Sequence, residues 1–301
     1  MLSSMEHRVV YYHHPLDKRY SLEYVDDDAT QFAERYGGYD SGTVKALGYP
    51  TGETEIYCLY TQTGEAGTAD DLEISEAELV AALDDMHPDR ERPIAIGLLE
   101  AWEGVREEAE KSGDGLEIYK ALELGRVPEA LTEVNWNGTA TDVAGELMSN
   151  LILRHILPNA NHRCSISMLQ FYLDFCTFGR EVEYNGLRLH TTDNDWRAWV
   201  DPYITQSKRI LTVRRNNVRF KKLSEYGVET VVRKGGIEIA LADWDLDMHY
   251  RDAWTHYARK HEQLCVRFAE EIAERAGVPE LGDRDGLTQT AFASLLAGHE
   301  P

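Results

Sequence analysis

Residues 140–179 read ATDVAGELMSNLILRHILPNANHRCSISMLQFYLDFCTFG: two apolar helical patterns around the stretch His155-Ile-Leu-Pro-Asn-Ala-Asn-His-Arg163. In the first pattern Val143, Leu147, Leu151 and Ile152 fall on one helical stripe. Thr141 and Asp142 are its expected N-caps, and Pro158 forces an end near Arg154 or His155. In the second, Ile166, Leu169, Leu173 and Cys176 recur at helical spacing, and Gly179 is the expected C-cap. A chain that buries both stripes places a short polar turn between two packed helices.

That turn has the parts of a phosphate site. It leads into a helix N-terminus, where unpaired backbone N–H groups and the positive end of the dipole face an anion. Ala160 is small enough for a ligand to approach the backbone, and Asn159 and Asn161 can brace the loop or bind polar groups. Arg163 offers a fork of donors matched to phosphate oxygens. His155 can take a proton near neutral pH, although a histidine at a helix C-terminus also serves simply as a cap on the dipole. Asn159 likewise reads as a plain N-cap or as a metal ligand. A base beside an anion cradle suits transfer of a phosphoryl-type group to a hydroxyl.

The same nine residues resemble the signature loop of the Fic/Doc (Fido) superfamily, H-x-F-x-[D/E/N]-[G/A]-N-[G/K]-R. His155 matches the motif His, Leu157 stands where Phe is usual, and Asn159 falls at the acidic position. Ala160, Asn161, His162 and Arg163 occupy the small, Asn, Gly/Lys and Arg positions. Both helical flanks agree, and the resemblance covers roughly residues 140–180. It implies a transferase that moves a phosphate-containing group, AMP or the γ-phosphate, from ATP to a Ser, Thr or Tyr hydroxyl of a protein substrate. By the same resemblance His155 is the base, and Ala160, Asn161 and His162 form the cradle. Arg163 clamps a phosphate, and Asn159 contacts Mg²⁺. The family's β-hairpin flap would fall over Val127–Trp136.

Three positions depart from the adenylyl-transferring pattern. Asn159 carries no charge for a hard cation. Ile166 stands where a second Arg is usual, and His162 puts a side chain where a second Gly leaves room for the α-phosphate. The last two favour the Doc-like branch, which implies γ-phosphate transfer and a growth-inhibiting toxin with an antitoxin partner. Together the departures also admit a catalytically degenerate Fido domain that acts as a binding or antitoxin-like module.

Outward from the loop, the expected fold class is mainly α: a Fido-like helical core with a small β-hairpin flap and an α+β N-terminal module. Residues 1–72 alternate strand-like runs (Val9–Tyr12, Tyr20–Val25, Ile56–Tyr60) with Asp26–Asp28, Tyr36–Gly38 and Gly48-Tyr49-Pro50 as separators. Gln62–Asp71 is the expected linker. The core is expected over residues 73–225, where Ser75 and Glu78 form a capping pattern and Pro93 opens a helix ending at Ser112–Gly115. Leu116–Leu124 reads as a short amphipathic piece. Residues 226–301 are expected to hold a hairpin turning at Lys234-Gly235-Gly236, a long helix over 250–276 and a loosely held tail from Leu281.

Composition narrows the partners. With 53 Asp+Glu against 31 Lys+Arg the chain carries −22, which repels phosphate backbones and anionic membranes and so argues against nucleic-acid wrapping. Lysine is scarce, 9 against 22 arginines, as in proteins of very salty cytoplasm. The one basic run, Arg214-Arg215 through Lys221-Lys222, reads as a solvated strand edge, the alternative being a surface that receives an acidic target or nucleic acid. Four scattered cysteines form neither a disulfide framework nor a zinc site, and Asp243–Asp247 with His249 lacks the Gly and Glu of a calcium loop. Without an apolar h-region in Met1–Arg8 or a long apolar span, the expected location is cytoplasmic.

Overall fold

The apolar stripes on either side of the loop do form helices, and what they pack against decides the architecture. The computed structural model describes residues 8–40, 42–51, 54–62, 67–68, 75–113, 116–177 and 194–298. It is mainly helical with small sheets, in two compact units that each draw on two stretches of chain. One takes Met1–Gly64 and Thr205–Ala258, the other Glu65–Ile204 and Arg259–Pro301. Composition led instead to three consecutive segments, because no compositional break marks a boundary that falls inside a helix.

In the first unit, β1 (Val9–Tyr11) is parallel to β7 (Thr230–Arg233), and β7 is antiparallel to β8 (Ile237–Ala240). The β7–β8 hairpin turns at Gly235 and Gly236, both with positive φ, as the Lys-Gly-Gly signal requires. A second sheet orders β2 (Tyr20–Asp26), β4 (Thr54–Gln62) and β3 (Val44–Thr51) antiparallel, with β4 central. Gly48-Tyr49-Pro50 lies inside β3 rather than between strands; β3 is an edge, where proline costs no ladder bond. Asp28, read as part of a spacer, caps α1 (Ala29–Gly37) by accepting from the N–H groups of Thr30 and Gln31 at 2.7 and 3.2 Å. Phe32 of α1 then packs with Val44 and Leu59.

The basic run is helical, within α7 (Asn194–Glu225), and not a strand edge. Its Phe220 and Leu223 are fully buried, a helical spacing that the arginines and lysines around them conceal.

The second unit holds the loop. Here α2 (Glu76–Asp84) is capped by Ser75, and α3 (Arg92–Ser112) begins with Pro93 and ends at left-handed Gly113. The linker expected over 62–71 lies mostly outside the described residues. Within it Gly67–Thr68 (β5) pairs with Glu117–Ile118 (β6), so Leu116–Leu124 begins as strand. Val127–Trp136, the expected flap, contains the helix α4 (Val127–Thr132) instead.

Helices α5 (Ala140–Arg154) and α6 (Asn161–Thr177) pack on one another, α5 also on α4 and α6 also on α3. The cap of α5 is Thr139, not Thr141; Asp142 completes a reciprocal capping box with it. The C-terminal part of α8 (Tyr250–Arg275) crosses α5 so closely at Gly145 that a Cβ there would meet Val266 Cα at 2.4 Å. Beside this crossing, buried His261 pairs through Nδ1 with Ser149 Oγ at 2.8 Å. The tail is not loose: α9 (Gln289–Ala297) inserts Phe292, 0% exposed, beside Tyr172, and Tyr172 Oη donates to the Leu287 carbonyl at 2.8 Å. Its apolar residues sit in one short run, which composition alone reads as mixed.

Candidate functional site

Helix α5 ends where His155 takes left-handed dihedrals, φ 52° and ψ 52°. Five residues later Ala160 does the same, at φ 58°, and α6 begins at Asn161. Among the described residues these are the two non-glycine positions with positive φ. Such conformations cost of order 1–3 kcal/mol each and persist only where surrounding contacts impose them. The loop turns the chain between two packed helices in six residues, and both strained positions serve that turn.

Asn161 imposes the shape. Its side chain is buried, accepts from the Leu157 N–H at 3.0 Å and donates to the Leu157 carbonyl at 2.8 Å. This closes 157–161 into a ring held at both poles of one peptide residue. Ile156, Leu157 and Pro158 are buried beneath it, which explains why an apolar triplet sits in a polar turn. From outside the loop, the Glu123 N–H donates to the Ile156 carbonyl at 3.0 Å and the Tyr119 N–H to that of Pro158 at 3.3 Å. Asn159 Nδ2 donates in turn to the Glu117 carbonyl at 2.5 Å. The segment 117–123 therefore runs along the loop as an extended brace.

Sequence reasoning missed this brace. The contact spans 42 positions and uses backbone groups, so no residue type announces it.

The expected site residues fall together on this turn. Half-buried His155 caps α5, and half-buried His162 and exposed Arg163 occupy the first turn of α6. Ala160, at the N-cap position, has no side-chain oxygen to satisfy the first-turn N–H groups that Ser, Thr, Asp or Asn would cap. The Ala160 N–H itself is already used, donating to Asn159 Oδ1 at 2.6 Å. Asn159 is thus engaged at both ends of its carboxamide.

Carboxylates flank the end of α5. Arg154 lies 3.4 Å from Glu129 and 3.6 Å from Glu133. Burial, together with the Asp142 charge, raises the pKa of Glu146 although Asn135 N–H donates to it. Burial also raises that of Glu262, with the charges of Glu146 and Glu133 adding to the effect. His155 and Arg163 thus belong to a local polar surface within a strongly acidic protein.

Fold and loop together define a mainly helical protein that carries a strained helix–loop–helix turn. Residues 6–300 match the model of DUF8172, a family of unknown function, and the chain belongs to that family. No curated protein and no solved structure matches it. Among the described residues, no group of three or more His, Cys, Asp or Glu could hold a metal, and no helix is long and apolar enough to cross a membrane.

Proposed function

We propose that the chain is a nucleotide-dependent transferase of the Fic/Doc kind, moving a phosphate-containing group from ATP to a hydroxyl of a protein substrate. The observation that carries this is the 155–163 turn. It combines a strained His at one helix end, a strained Ala in place of a cap at the next helix start, and an Arg on the first turn. A purely structural connection is served better by an Asn or Gly at the left-handed positions and a Ser or Asp at the cap.

The step is transfer of the γ-phosphoryl group, the reading that His162 and Ile166 favour. The hydroxyl oxygen of the substrate forms a bond to the γ-phosphorus as the bond to the bridging oxygen breaks. His155 takes the hydroxyl proton and ADP leaves with the bridging oxygen. The α6 N-terminal N–H groups and Arg163 hold phosphate oxygens against the developing charge. The brace formed by 117–123, rather than the segment 127–136, is the backbone edge nearest the loop against which a target segment could align.

The donor set does not fit a protein-held Mg²⁺. Asn159 has no charge, its Nδ2 is spent on Glu117, and one lone pair of Oδ1 is spent on Ala160. No step here is routed through a metal. The same observation favours a second reading, in which the turn retains its shape but only binds.

Incubation of the protein with α- or γ-labelled ATP and cell lysate separates the two. Label on a protein that disappears with His155→Ala supports transfer; γ-label without α-label assigns phosphate over AMP. ATP binding without transfer in any lysate supports the binding module, and no nucleotide binding refutes both. The toxin and antitoxin partnership follows only if expression arrests growth in a His155-dependent way.

A further inference from the structure

Two helices of the first unit present an exposed aromatic strip that the proposed transferase leaves unused. The start of α8 runs alongside the second half of α7 in the opposite direction. Arg214 Nε donates to the Trp254 carbonyl at 2.9 Å, and further along α7 Lys221 pairs with Asp247. Val218 of α7 and Tyr250 of α8 fall between these two contacts, one turn from Arg214 and from Trp254 respectively. Their side chains are open to solvent: Val218 is 61% exposed, Tyr250 53% and Trp254 48%. Trp254 is the one exposed tryptophan among the described residues; Trp102, Trp136, Trp199 and Trp244 are buried or half-buried.

The charges that touch these rings are guanidinium groups. That of Arg214 sits over the Trp254 ring, 3.5 Å from its centroid. That of Arg251 sits over Tyr250 at 5.6 Å, with Nε donating to Tyr250 Oη at 2.8 Å. Each ring therefore offers apolar surface with a cation fixed against it by a cation–π contact and a hydrogen bond. Exposed Arg215 follows Arg214. Asp252 lies two residues from Tyr250 and two from Trp254, which puts it on the far side of α8 from both rings.

Trp, Tyr and Arg together are the composition of binding hot spots. The size of the strip separates a short segment from a second copy. With about half of two aromatic side chains and most of a valine open, its apolar area is about 300 Å². A stable dimer takes about 800 Å² from each partner. A two-fold pairing of this face would also set Arg214, Arg215 and Arg251 against their own copies. Nucleic acid suits the strip less well, because it carries charge at every step and meets the −22 of the whole chain. A short acidic segment brings a few carboxylates only to where the arginines stand.

We propose that Val218, Tyr250 and Trp254, with Arg214, Arg215 and Arg251, dock a short acidic segment of a partner protein. An apolar side chain of that segment rests on Trp254 and Val218, and Asp or Glu on either side of it pair with Arg215 and Arg251. All six residues lie in the unit that does not contain the 155–163 turn, so the inference stands whether or not the transferase reading does.

The test uses the full chain and fluorescence anisotropy with three labelled probes of equal length. One is a pool of acidic peptides, each with a Leu, Phe or Trp among several Asp and Glu; the second is the same pool with Lys and Arg in place of the acids; the third is oligothymidylate. Saturable binding of the acidic pool is expected, with the other two at least about tenfold weaker. Trp254→Ala removes the anchor, and Val218→Asp sets a repelling carboxylate in the strip at an exposed position where folding is not at risk. Each is expected to weaken binding at least about tenfold, and Val218→Asp to leave the urea midpoint in place. Absence of binding by the acidic pool overturns the proposal, as does binding that Val218→Asp leaves unchanged or that the basic pool matches. Tighter binding of oligothymidylate overturns it in favour of single-stranded nucleic acid. Sedimentation of the chain alone is the last arm: a dimer that Val218→Asp dissociates assigns the strip to a second copy and also overturns the proposal.

Discussion

Gly145→Ala is the sharpest test of how the helices that carry the turn are held. An added Cβ would lie 2.4 Å from Val266 Cα, 2.5 Å from Val266 N and 2.8 Å from the Cys265 carbonyl carbon. All three are backbone atoms of α8, so no rotamer change relieves the contact. Restoring a carbon separation of about 3.5 Å requires the two helices to part by about 1 Å at the crossing. Overpacking of this kind costs about 1–3 kcal/mol, and more when only backbone can yield. Against that, alanine gains about 1 kcal/mol over glycine in a helix interior.

The predicted net result is destabilisation by about 1–2 kcal/mol, the upper part of the overpacking cost less the propensity gain, with the parting felt at the neighbouring Ser149–His261 hydrogen bond. Gly104→Ala in α3 is the matched control, because nothing lies within 4 Å of its would-be Cβ and propensity acts alone. Urea denaturation of both variants gives the comparison, with the Gly145→Ala midpoint falling and the Gly104→Ala midpoint holding or rising. If Gly145→Ala matched the control in sign, the close crossing of α5 and α8 would be refuted.

Three further outcomes follow from the same packing. Asn161→Ala leaves both polar groups of buried Leu157 without their partner; it should cost about 1–3 kcal/mol in denaturation and abolish protection of the Leu157 amide in hydrogen exchange. Phe292→Ala should cost about 3–5 kcal/mol, a result that a loosely held tail would not give. Glu146 and Glu262 have carboxyl pKa values raised in the folded state, so their ionisation opposes folding. Their contribution is most favourable below the unfolded carboxyl pKa and is lost as pH rises through the folded value. Glu262→Gln should therefore flatten the decline in stability above that range, and a melting-temperature series across pH 4–8 that matches wild type would contradict this.

Much of the fold was legible because burial leaves a periodic trace. The stripes of α5 and α6, the start of α3 at Pro93 and its stop within 112–115, and the Lys-Gly-Gly hairpin are read from local pattern and recur in place. Local reading failed where a tertiary neighbour changed a residue's meaning. Pro50 reads as a breaker until β3 is known to be an edge, and the arginines of α7 mask Phe220 and Leu223 beneath them. The flap that the family resemblance placed over 127–136 is instead the helix α4, with Pro128 in its first turn and Val127, Ala130 and Leu131 buried.

The residues of the turn, and the chemistry those residue types permit, are written in positions 155–163 alone, since a base, a small residue, an amide and an arginine at set spacing need no partner to be recognised. What only the tertiary structure decided is their state. Asn159 is spent on a carbonyl 42 residues away, Asn161 is folded back on Leu157, and His155 and Ala160 are driven left-handed by the packing of α5 on α6. The junction of β1 and β7 is likewise absent from any linear motif, because a parallel pair joins residues 13 and 234 that no local interaction could bring together.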